Sequence, residues 1–227
     1  MYSGTDFQKF WSRCGDSRIH PDDEPFFKFD GKQEVQNRLA SEYKTSEYGP
    51  WPFDGPIERA KVVVCYANPL YADTDNIHED LIFKQRTGVE PLPKPWHPYY
   101  QPRIGAAIGS EIADLSEIVA VLNVCPYPSI QMPDRAIRFA AGLPSVWAAQ
   151  KYLREVLIPK AQSGEILLVI ARKHQLWGTV EGFESPNINI RRGSRGGHLG
   201  PELGGRIQRW ITDKGYLMKK TIPKRCE

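Results

Sequence analysis

Three short runs constrain this chain more than anything else in it: KVVVCYANP (61–69), IVAVLNVCPYP (118–128) and EILLVIARKH (165–174). Each is a block of apolar, mostly β-branched residues that ends abruptly, the first two at proline-containing turns. A short apolar block without polar alternation reads as a strand buried on both faces. A fourth, shorter strand is expected at NINIR (187–191). Helical periodicity separates the strands. Ile104 to Leu115 looks helical. A helix opens at Pro144, with Val146, Ala149, Leu153, Val156 and Leu157 on one face, and Pro159 limits or kinks it. Another begins at Pro201, with Leu203, Ile207, Trp210 and Ile211 on its apolar side. Strands alternating with helices predict the α/β class, as three α/β/α layers around a central, mostly parallel four-stranded sheet.

The remaining segments fit around that frame. Residues 1–29 are aromatic and irregular and are expected to wrap onto the body. Val35, Leu39 and Tyr43 predict a helix over about 31–44. YGPWPFDGP (48–56) and the proline-rich stretch 88–103 read as loops, the latter long enough to be functional. No repeat or boundary divides the chain, so one domain, 1–227, is expected, with 1–54 an N-terminal extension packed on it.

Composition narrows the function classes. The chain has 227 residues with 30 Lys/Arg and 27 Asp/Glu, a net +3. The basic residues are unevenly placed. Residues 187–227 carry ten Lys/Arg against three Asp/Glu, a net +7, which leaves −4 on the rest. A basic tail on a mildly acidic body suits a polyanionic partner, or else simply a solvated C-terminal helix. The longest aliphatic run, Ile166 to Ala171, is far shorter than the roughly 18 residues that span a bilayer, and the first residues, with acids and no apolar run, are not expected to form a signal peptide. Cys14, Cys65, Cys125 and Cys226 lack metal-site spacing and read as reduced structural thiols. No phosphate-loop, dinucleotide or serine-hydrolase motif is present. The expectation is a cytoplasmic monomer with no cofactor, no metal and no membrane contact.

In parallel sheets, sites lie beyond the carboxyl ends of the strands. Here those ends carry Asn68-Pro69, Asn123 through Tyr127, His174, and Arg191 through His198. A carboxamide offers one acceptor and two donor hydrogens and can pair with a nucleobase edge, yet Asn before a turn also serves as a simple cap. The motifs VVVCYANP and AVLNVCPY, then SVWAAQKYLREVLIP with EILLVIARKHQLWG, then NINIRRGSRGGHLGP, resemble in order and spacing those of the uracil-DNA glycosylase superfamily. The resemblance covers about residues 55–215. It implies a DNA partner, single- or double-stranded, and a base flipped out of the stack for hydrolysis of its N-glycosidic bond. By that resemblance Asn68 orients the attacking water and Asn123 reads the base. Tyr71 or Tyr127, or else Tyr99 or Tyr100, stacks on the base, and His198, or an arginine of the loop, stabilises the departing base. Arg191, Arg192, Ser194, Arg195, Gly196 and Gly197 hold phosphates. The fourth segment departs from the family's His-Pro-Ser pattern, with its histidine several residues late. Two other functions therefore stand beside the glycosylase: a nucleic-acid or nucleotide-binding protein of the same fold without the chemistry, and an α/β enzyme holding a phosphorylated small molecule with RRGSRGG.

Overall fold

The apolar runs hydrogen-bond side by side. The computed structural model describes residues 4–28, 42–45, 47–69, 79–86, 90–179, 183–191 and 197–216. The sheet is built from Phe53–Asp54 (β1), Val62–Tyr66 (β2), Val119–Asn123 (β3), Leu167–Ile170 (β4) and Ile188–Ile190 (β5), in the lateral order β1-β3-β2-β4-β5. β2 pairs in parallel with β3, Val62 opposite Val119 and Tyr66 opposite Asn123. It also pairs in parallel with β4, and β4 with β5. The expectation of an α/β fold holds. The expected four strands are joined by a fifth, β1, which runs antiparallel to β3 with Phe53 opposite Leu122, so the sheet is mixed. Two residues between a proline and Gly55 are too short for any periodicity to register, which is why 48–56 reads as loop in the sequence.

Every residue of β2, β3 and β4 is buried because both faces are covered. Val63, Cys65, Ala120, Leu122, Leu168 and Ile170 face one core. It is shared with helix α1 (Gly4–Ser12), through Phe7 and Trp11, and with a long helix that opens at Pro144–Tyr152. Phe7 stacks on Tyr152 at 4.5 Å between ring centres. Val62, Val64, Val119, Val121, Leu167 and Val169 face the opposite core. Ile104, Ile108, Ile112 and Leu115 cover that side together with Ile207 and Ile211 of the helix Pro201–Asp213.

Proline shapes the covering layers. The stretch 88–103, expected as loop, is a chain of single turns: Lys94–Trp96, His97–Tyr100 and the wider turn Gln101–Gly105. Each has proline in its first two positions, where the missing N–H costs no hydrogen bond. The helix expected over 104–115 is interrupted at Gly109, whose φ of 76° ends Ala106–Ile108 before Ile112–Leu115 begins. Pro159 does not end its helix. The chain widens into a π-turn at Leu153–Leu157, which accommodates the proline ring's clash with the preceding turn, and continues as Ile158–Gln162. The expected helix over 31–44 lies mostly outside the described residues. Among the described residues no helix is long and apolar enough to cross a membrane.

Candidate functional site

The register of β2 against β3 decides where the two asparagines sit. Tyr66 lies opposite Asn123, and the pairing continues past the strand ends, Val124 N–H donating to Tyr66 O and Cys125 N–H to Ala67 O. Asn68 and Asn123 therefore leave neighbouring strands at the same rim. Half-buried Asn68 donates its amide hydrogens to Pro69 O at 2.9 Å and Ser129 Oγ at 2.8 Å. A carbonyl can only accept, and the Ser129 hydroxyl hydrogen goes to Gln131 O. The orientation of the carboxamide is thus fixed, and Oδ1 is the atom left to accept from a ligand or a water. Asn123 is 4% exposed and donates to Trp51 O at 3.1 Å. Beyond that bond it has one further N–H and its Oδ1 to offer.

The segment after β5 returns to this rim through Tyr66. The Tyr66 hydroxyl donates to Gly197 O at 2.7 Å. Gly197 has φ +73°, and a Cβ there would stand 2.7 Å from the tyrosine ring, so only glycine permits this approach. Burial pushes the Tyr66 phenol up. Tyr99 adds to this, while the positive charges of Arg103, Arg172 and Arg191 pull it down. Sequence reading missed Tyr66, Arg103 and Arg172. A tyrosine closing an apolar strand run was the available signal for the first of these.

The other expected residues are spread more widely. His198 is exposed, and its Nδ1 donates to Pro102 O at 3.0 Å, which leaves Nε2 of a neutral ring as an acceptor. Tyr127 does not present its ring to the rim. It is 0% exposed, packs beneath the sheet among Phe27 and Tyr43, and donates its hydroxyl to Asp23 at 2.6 Å. Consecutive residues after Asn123 turn inward there because Pro126 and Pro128 fix the chain between two apolar positions. Tyr71, Arg192, Ser194, Arg195 and Gly196 lie outside the described residues. Arg191 is described: it follows β5 and points toward the first turn of the helix Pro201–Asp213.

No family model, curated protein or solved structure matches this chain. Its chemistry rests on its own geometry.

Behind Asn123 lies a buried acid that sequence reading also missed. Asp54 of β1 accepts from Trp51 Nε1 and the Tyr100 hydroxyl. Burial pushes its carboxyl up to about 7, with those two hydrogen bonds opposing. Trp51 thus joins the acid to Asn123, its ring donating to one and its carbonyl accepting from the other. Among the described residues no cluster of His, Cys, Asp and Glu could hold a metal ion.

Proposed function

We propose that this protein binds DNA at the carboxyl rim of its sheet and hydrolyses the N-glycosidic bond of a flipped base. The observation that carries the reading is the placement of Asn68 and Asn123 at the ends of adjacent parallel strands. The fixed carboxamide of Asn68 leaves an acceptor oxygen suited to orienting a water toward C1′. Asn123, held by Trp51, keeps donor and acceptor capacity for the edge of a base. Arg103 and Arg172 supply positive charge for the backbone phosphates and for the anion that leaves. The resemblance of the strand-end motifs to uracil-DNA glycosylases supports the same roles.

A second reading, nucleic-acid binding without hydrolysis, is favoured by His198 and Tyr127. The first offers an acceptor rather than a donor when neutral, and the second is occupied in the core.

A panel of uracil-, hypoxanthine- and mismatch-containing oligonucleotides, incubated and then treated with alkali, separates the two. Cleavage by the wild-type chain, reduced by roughly 10²–10⁴ in Asn68→Ala with DNA binding retained, is the result expected of a residue that positions the attacking water. Binding that weakens steeply with salt but leaves every lesion intact selects the second reading. Absence of DNA binding at low salt overturns both.

A further inference from the structure

A separate cavity of about 600 Å³ lies between the edge strand β5 and the first turn of the helix Pro201–Asp213. The NINIR alternation explains its chemistry. Ile188 is buried in one core, so Asn189 faces the other side, and Arg191 follows it with the same spacing. Asn189 is 6% exposed and lines the cavity, and among the described residues its Nδ2 has no hydrogen-bond partner. The same holds for the buried Nη1 of Arg191, whose guanidinium lies against Gly200. A buried donor left unmet is costly, and two facing one cavity point to a ligand that supplies acceptors. The helix adds to them. It is capped by Gly200 with no side-chain bond, so the Glu202 and Leu203 amides at its positive end are open to an anion. The carboxylates of Glu184 and Glu202 also line the cavity, and as pure acceptors they suit donor hydroxyls.

We infer that this cavity is a binding site for a phosphorylated sugar. The phosphate is held by Asn189, Arg191 and the helix terminus, and the sugar hydroxyls turn toward Glu184 and Glu202. Arg206, also in the lining, adds a second guanidinium. The volume suits a ligand of that size rather than a bare ion. The sugar phosphate is either a free small molecule or part of a nucleic-acid strand. The inference does not rest on the asparagines of the rim.

The test uses the full chain with ribose 5-phosphate, inorganic phosphate and an oligonucleotide lacking a terminal phosphate, read by calorimetry and by the shift in Tm. Ribose 5-phosphate should bind, and Asn189→Leu and Arg191→Lys should each weaken it roughly ten- to hundred-fold, the loss expected for one hydrogen bond to a charged group. The ligand-free Tm of Asn189→Leu should equal or exceed that of the wild type, because the change removes an unmet buried amide. A merely structural asparagine would lower it. If Asn189→Leu does not fold, Arg191→Lys gives the binding result alone. Binding of the oligonucleotide instead, with the same losses in both variants, assigns the phosphate to a strand and supports the site. Neither probe binding, or both binding the variants as tightly as the wild type, overturns it. Inorganic phosphate binding as tightly as ribose 5-phosphate overturns the role of the two glutamates.

Discussion

Asp54 shows how far burial alone can move a side chain's chemistry. Its two hydrogen-bond donors, Trp51 and Tyr100, are neutral, so nothing in its shell offsets a negative charge as a cation would. The carboxyl titrates near 7 when folded against 3.8 as a free side chain. Between those values the folded chain holds a proton that the unfolded chain has lost. Its contribution to stability is complete below pH 4 and is lost as pH rises to 7, with a slope approaching about 1.4 kcal/mol per pH unit. Asp23 is raised by burial and acts with the same sign. His20 acts oppositely: burial lowers it, so its contribution is lost as pH falls below the ordinary histidine value. The prediction is therefore a difference. Denaturation of wild type and Asp54→Asn across pH 4–8 should show the wild type losing stability relative to the variant as pH rises, and parallel curves would refute the assignment. Asp54 was not legible in the sequence, because its environment is made by chain segments far away; Tyr66 could be noticed as the tyrosine closing an apolar run, but not its contact with Gly197.

Elements were legible where burial is two-sided. β2, β3 and β4 stand where their apolar runs end, since a strand covered on both faces needs no alternation to declare itself. β1 and the turns of 94–105 were not, because prolines that exclude a long helix still allow single turns begun by proline. Close approach between elements was also hidden. Gly204 packs so tightly that a Cβ would lie 1.8 Å from Ala107 O, the backbone of the opposing turn. This contact seats the helix Pro201–Asp213 against Ala106–Ile108. Gly204→Ala should push the helix outward and cost about 1–3 kcal/mol or more by the usual penalty for overpacking. Urea unfolding measures it, and a neutral effect would contradict the geometry. By contrast, Gly205 faces open space, and Gly205→Ala provides the matched control.

At the scale of the molecule, the sheet is finished by residues far from it in sequence. Phe7, Trp11 and Cys14 are each 1% exposed, all packed in the core that also holds Tyr152 and Trp177. His20 stacks on Phe10 at 4.0 Å, and its neutral ring is satisfied at both nitrogens, Nε2 donating to Phe10 O and Nδ1 accepting from Asp22 N–H. Removing residues 1–28 should therefore strip one face of the sheet. The expected result is a chain with retained far-ultraviolet dichroism, lost near-ultraviolet dichroism and strong dye binding, and a cooperative native transition in that deletion would show the segment to be dispensable. The aromatic pattern of these residues was legible as something that packs; its target was not, since no local periodicity names a distant partner.

The bonds of Asp23 to Tyr127 and to the Ser145 N–H span 104 and 122 residues. During synthesis the amino-terminal stretch leaves the ribosome long before the surface that receives it has been translated. Its docking is a late event in the birth of the protein, and until then its tryptophan and phenylalanines are exposed to whatever chaperone meets the nascent chain.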